Sequence, residues 1–346
     1  MSHLVSYPAG YQNPGRTVAG SWAPASSAAE RRNTLVNGVR VSWLERGNPR
    51  PNQPSLVLLH GLIATAETFL PLMDRLGEDR HVIAFDFPAN GGSEKLRDGQ
   101  ASMPAIAEWL AAALDHLGLD RPILLGHSHG GAIAMQLAVS APERVRGLVL
   151  MSPAHPFSAH EEILIRFYLS APGKVFAYAL PWFPRWVQLA GFKHMAGPGR
   201  WTDPKQLEPY RANLQARGLV PHMLRLLSTW NADMRRLGSA LSGGLHVPSL
   251  LLWGDRDRAV PDHTAQALCE HLKDSQLIVF PGVGHRPAEE VPSLCVQATE
   301  TWLAQICQVA EPIENSANPY KQSQTATKVV ARSIPLNSLQ LNQSRK

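Results

Sequence analysis

The stretch PILLGHSHGGAIAMQLAV, residues 122–139, decides the fold. Its first part is a short, wholly apolar run, as expected of a strand buried on both faces. Its last part, from Ala132 to Val139, is small and apolar and reads as a helix. Between them stands Gly126-His127-Ser128-His129-Gly130, a match to G-x-S-x-G. The glycines have a steric reading, because side chains at 126 and 130 would collide with the neighbouring strand and helix. A serine at such a strand-to-helix turn sits in a strained backbone conformation that pushes its hydroxyl above the sheet edge. The following helix points backbone N–H groups, and its positive dipole end, at that hydroxyl.

Outward from this turn, strand and helix signals alternate. SLVLLH (55–60), HVIAFD (81–86), RGLVLMS (146–152), PSLLLWG (248–254) and QLIVFPG (276–282) read as further strands. Helices are expected near 66–77, 106–117, 262–272 and 289–308. TLVNGVRVSWLER (34–46) carries Asn37-Gly38 between two runs, a hairpin signature. Strands alternating with helices imply a mostly parallel sheet with helices on both faces. Residues 155–243 break the rhythm with apolar helical stretches, many prolines and no clear strand. They hold 12 of the 24 aromatic residues, and they read as a helical insertion above the sheet. Residues 1–33 and 311–346 lack periodicity and read as a flexible extension and a flexible tail, although SIPLNSLQL in the tail is apolar enough to dock.

Composition excludes several classes. The chain has 346 residues, 44% of them hydrophobic, enough for a sizeable core. No apolar run approaches the roughly 18 residues of a membrane-spanning helix. Three cysteines, Cys269, Cys295 and Cys307, form neither a disulfide framework nor a CxxC metal site. The start lacks the basic and apolar regions of a secretory signal, so a cytoplasmic protein is expected. The net charge is +5, but residues 34–310 sum to zero. The excess sits on the two ends and on the insertion, where 11 basic residues face 5 acidic ones. No basic stripe runs along the fold, which argues against nucleic acid as a partner.

A serine hydroxyl needs a base. His285 follows the last strand, at the same carboxyl edge as Ser128, and is the best placed of 14 histidines. The side chains of His127 and His129 are expected to point away from the hydroxyl. The base needs a carboxylate to hold its tautomer. Asp255 and Asp257 both lie just past a strand; Asp257 is preferred, and Asp255 reads as orienting the loop. The oxyanion needs two N–H donors, expected from His129 and from Leu62 after LVLLHG, with His60 bracing that loop.

With these residues in hand, the chain resembles the α/β-hydrolase superfamily, in its capped esterase, lipase and C–C hydrolase branch. The resemblance covers about 34–310 and rests on LLHGL (58–62), DFPANGGSE (86–94), GHSHGG (126–131), WGDRDRAVP (253–261) and GVGHRPAEEVP (282–292). The second motif departs from the usual pattern, with Ala89 in place of the first glycine and Asn90 before Gly91. The resemblance implies an α/β-hydrolase core over 34–154 and 244–310, and a cap over 155–243. It implies hydrolysis of an ester or thioester by Ser128, Asp257 and His285, with no metal or organic cofactor. Phe167, Tyr168, Phe176, Trp182, Trp186 and Trp230 are expected to line an apolar acyl pocket. The basic cap suits an anionic partner such as an acyl carrier protein or a membrane surface. Acyl transfer by the same residues, C–C hydrolysis of a diketone, and a non-catalytic ligand receptor are the alternatives.

Overall fold

The computed structural model describes residues 3–6, 28–96, 100–158, 161–198 and 204–308. Among them, β1 (His3–Ser6), β2 (Glu30–Val36), β3 (Val39–Arg46), β4 (Leu56–Leu59), β5 (Val82–Phe85), β6 (Ile123–His127), β7 (Gly147–Met151), β8 (Ser249–Gly254) and β9 (Ser275–Phe280) form one sheet. Their order is β1-β9-β8-β7-β6-β4-β5-β3-β2. Pairing is antiparallel at β2–β3 and β3–β5 and parallel elsewhere. Every residue of β4 through β8 is buried, which is why these strands appear in the sequence as unbroken apolar runs. Asn37 and Gly38 both take positive φ, 51° and 75°, as a tight hairpin between β2 and β3 requires.

Alternation along the strands splits the core in two. Val57, Leu59, Leu124 and Leu150 face a layer built from α2 (Met103–His116) and α3 (His129–Ser140). Leu56, Leu58, Leu125 and Met151 face Leu72 and Met73, from α1 (Leu70–Leu76), and Trp302, from the helix at Pro292–Gln308. The expected mostly parallel sheet with helices on both faces is the observed fold.

The insertion carries α4 (Glu161–Leu169), α5 (Ala171–Ala179), α6 (Arg185–Met195), α7 (Glu208–Gln215) and α8 (Leu219–Leu241), with no strand among its described residues. In α8 the buried positions Leu219, Met223, Leu226, Trp230, Met234, Leu237 and Leu241 recur every three or four residues. This face packs with α2 and α3 in the same core, and Asp233 Oδ2 accepts the Met103 N–H at the start of α2 (3.1 Å).

Within residues 1–33, expected to be a flexible extension, the described stretches include strand. His3–Ser6 pairs in parallel with β9, His3 opposite Gln276, and β2 already begins at Glu30. Four residues are too few to display a period, and an edge strand is held by backbone bonds that most sequences can make. Residues 311–346, with SIPLNSLQL, lie outside the described residues.

Candidate active site

β6 ends at His127 and α3 begins at His129, so Ser128 alone makes the turn. Its backbone sits at φ 51°, ψ −119°, a region that L-residues rarely adopt. The chain is pinned on both sides: Ser128 N–H donates to Met151 O (3.1 Å), and Ser128 O accepts from Ala154 N (2.9 Å). Both flanking glycines are dictated by contact. A Cβ at Gly126 would lie 2.6 Å from the Gly130 carbonyl oxygen, and one at Gly130 would lie 2.0 Å from Leu59 O on β4. The His129 N–H belongs to the first turn of α3, where helix geometry provides no intrahelical acceptor.

The histidine and carboxylate expected as base and partner meet. His285 Nδ1 lies 2.9 and 3.1 Å from the two oxygens of Asp257. Asp257 Oδ1 also accepts the N–H groups of Ala259 (2.8 Å) and Val260 (2.9 Å). Burial works to raise the Asp257 pKa, but the His285 ring and these N–H groups outweigh it and hold it below its ordinary value. An ionised Asp257 can only accept, so Nδ1 of His285 carries the proton and Nε2 is left as the basic nitrogen. Asp255 takes the other role, accepting Gly282 N–H (2.6 Å) and so shaping the loop that leads to His285.

His127 links this pair to the serine. Its Nε2 donates to His285 O (2.7 Å), and the two rings lie 5.0 Å apart between centroids. Burial, then the neighbouring His285, push its pKa down to about 3, so it stays neutral. A Cβ placed on Gly61 would lie 3.5 Å from Ser128 Cβ, so the loop after β4 runs beside the elbow. His60 braces that loop as expected: Nδ1 donates to Gly61 O (2.7 Å), and Nε2 accepts the Phe87 N–H (2.9 Å).

Leu62 and His129 line a narrow cavity of about 10 Å³. Its other walls include Phe87, Ile106 and, from α8, Leu219, His222, Met223 and Leu226. The His129 ring is buried between Phe87 and Trp230, at centroid distances of 5.6 and 5.7 Å, and its Nε2 has no hydrogen-bond partner. Burial, then His60 and His222, lower its pKa to about 3.

The expected pocket aromatics are arranged otherwise. Trp182 and Trp186 are 78% and 72% exposed, on the outer side of the insertion, and line no interior space. Counting aromatic residues cannot tell which face of a helix they occupy. Phe167, Tyr168 and Phe176 pack on one another at 5.6 to 6.2 Å, and Phe176 reaches Phe183 at 5.4 Å. They hold α4 against α5. Trp230 is buried over His129.

Three residues given no role by the sequence join the insertion to the core. Asn213 of α7, 3% exposed, donates to Ile63 O, Ala64 O and Asn90 Oδ1 and accepts Gly91 N–H, all at 2.9 to 3.0 Å. Glu290 accepts the N–H groups of Gly197 (2.8 Å), Gly284 (2.8 Å) and Arg286 (3.0 Å), and His285 N–H donates to Met195 O (2.9 Å). Arg286 donates to Phe192 O (2.7 Å) and lies over the Phe192 and Tyr210 rings. The histidine loop and the end of α6 are thus one hydrogen-bonded body. Ala89 meets the departure noted in DFPANGGSE by adopting φ 66° itself, and Asp86 ties the loop through Gly92 N–H (2.9 Å) and Ala66 N–H (2.9 Å).

Comparison with known proteins agrees with this fold. The family model described as alpha/beta hydrolase fold matches residues 54–292. The uncharacterized hydrolase YugF of Bacillus subtilis (strain 168) is 27% identical over 271 residues, spanning 76% of this chain and 94% of that protein. Among solved structures, a thermophilic esterase from Thermogutta terrifontis superposes with a TM-score of 0.63 at 23% identity, covering 80% of this chain and 99% of the esterase. The epoxide hydrolase CorEH superposes at 0.69 with 19% identity, covering 80% and 99%. These two likenesses establish the fold.

Proposed function

This chain belongs to the α/β-hydrolase family, and we propose that it is a serine hydrolase of carboxylic esters or thioesters, acting through an acyl-enzyme on Ser128. The carrying observation is the His285–Asp257 pair, which leaves Nε2 as a base, joined by His127 to the strained turn at Ser128. Ser128 Oγ attacks the acyl carbon while Nε2 of His285 takes its proton. The tetrahedral oxyanion receives the N–H groups of Leu62 and His129, each donor worth on the order of 10²–10³ in rate. His285 then protonates the leaving alcohol or thiol. A water, deprotonated by the same nitrogen, attacks the acyl-enzyme and releases the acid. Serine at this position favours acyl chemistry over the epoxide opening named for CorEH.

The acyl group is proposed to enter between the Leu62 loop and α8, where the walls are Leu62, Phe87, Ile106, Met223 and Leu226. This reading requires the narrow space to widen when an acyl chain binds. A series of p-nitrophenyl esters of rising acyl length tests both points. Wild type should prefer acyl chains longer than acetate, and Ser128→Ala should lose activity by about 10⁴-fold or more. Undiminished turnover in Ser128→Ala overturns the nucleophile, and activity confined to acetate overturns the apolar acyl group.

His222 on the cavity wall favours a second reading, hydrolysis of a C–C bond in a diketone, whose second carbonyl needs a polar partner from the insertion. A diketone cleaved by wild type and spared by His222→Leu, with ester turnover intact, would support it.

A further inference from the structure

Five of the six large apolar side chains that stand exposed among the described residues fall between 167 and 186: Phe167, Val175, Tyr178, Trp182 and Trp186. They form one face. On α5, Gly173 and Ala177 turn inward, while Lys174, Val175 and Tyr178 are exposed. On α6, Gln188 turns inward, while Arg185, Trp186 and Lys193 are exposed. Both helices therefore carry aromatic and basic residues on their outer sides. Residues 165–198 contain four lysines and arginines and no aspartate or glutamate.

We propose that this outer face of α5 and α6 docks on a lipid bilayer bearing anionic headgroups. Tryptophan and tyrosine combine an apolar body with a polar tip and settle at the headgroup boundary. Val175 and the two indoles supply the inserted apolar area, and Arg166, Lys174 and Lys193 supply attraction to the headgroups. Exposed apolar side chains gathered in so short a stretch mark an interaction site, and the basic excess of 165–198, of which Arg185 is paired with Glu208, selects a negatively charged one. Among the described residues no helix is long and apolar enough to cross a membrane, so the contact is peripheral.

The face is also tied to the chemistry. The C-terminal end of α6 holds the histidine loop through Met195 O and Gly197 N–H. Docking would bring the seam between α6 and that loop to the lipid surface, the source of long acyl esters. This link rests on the proposed hydrolase activity; the docking itself does not.

Co-sedimentation of the full chain with vesicles tests the proposal. Vesicles of phosphatidylcholine alone are compared with vesicles containing about 30 mol% phosphatidylglycerol. Wild type should partition onto the anionic vesicles, with tryptophan emission shifted to the blue, and high salt should weaken the binding. Trp182→Ser combined with Trp186→Ser should lower the partition coefficient by about tenfold or more. Lys174→Glu combined with Lys193→Glu should abolish the preference for anionic lipid. All four positions are exposed, so the variants should melt as wild type does. Ser128→Ala should bind vesicles like wild type, which separates failure of docking from failure of the hydrolase reading. Wild type that ignores anionic vesicles overturns the proposal, as does a tryptophan double variant that binds equally well. Dimerisation or capture of an acidic carrier protein that depends on the tryptophans, without vesicle binding, also overturns it.

Discussion

Ser128 occupies φ 51°, ψ −119°, a conformation whose cost for an L-residue is of order 1–3 kcal/mol. Glycine adopts it without a Cβ penalty. Ser128→Gly should therefore be more stable than Ser128→Ala by about 1–2 kcal/mol, with both inactive. Urea unfolding of the two variants measures this, and equal stabilities would show that no strain is held there. The residues proposed for this chemistry stand out in the sequence because each follows the carboxyl end of an apolar run: Ser128 after β6, Asp257 after β8, His285 after β9. The anchoring roles of Asn213, which belongs to no motif, and of Glu290, which stands in GVGHRPAEEVP, do not. Their hydrogen-bond partners lie up to 150 residues away in sequence, and nothing local marks an asparagine or glutamate as an anchor.

At the scale of the element, α7 stands out for a single side chain. Asn213 meets two loops at once, 61–64 beside Ser128 and 88–92 beyond β5. Asn213→Ala leaves the Gly91 N–H and the Ile63 and Ala64 carbonyls, bonded by a side chain that is itself buried, without this partner, at about 1–3 kcal/mol for such a loss. Hydrogen exchange should then quicken in 61–64 and 208–215 while β6 and β7 stay protected. Uniform quickening across the sheet would mean that α7 is part of the global unfolding unit and no separate clamp. The strands were legible because burial on both faces leaves one composition open to them. The five helices of the insertion were legible only as helical. Which side of each faces inward is decided by contacts with α2, α3 and the loops, and so Trp182 and Trp186 were expected inside and are found outside.

For the whole molecule, buried titratable groups set the response to pH. His60, His127, His129, His155 and His222 all have lowered pKa values, burial being the largest cause in each, down to about 3 for His127 and His129 and about 4 for His155 and His222. Between these values and 6.5 the unfolded chain binds protons that the folded chain refuses, so this stability is present above pH 6.5 and lost on acidification. Glu289 acts in reverse: burial, opposed by Arg286, raises its pKa to about 7, so its contribution is present below 4.5 and fades as pH rises through 7. Five histidines outweigh one glutamate. The melting temperature should fall by on the order of 10 °C between pH 7 and pH 4.5. Glu289→Gln should steepen that fall, since it removes the one opposing slope; a flat profile in wild type would contradict the buried neutral histidines. The central claim, that the hydroxyl of Ser128 is the group that takes the acyl chain, is tested most directly by mass. The folded chain is treated with a fluorophosphonate, weighed intact and mapped by peptide. A single adduct on Ser128, absent from Ser128→Ala, is the result expected. A folded wild-type chain that gains no mass, or gains it elsewhere while Ser128 stays unmodified, would contradict it.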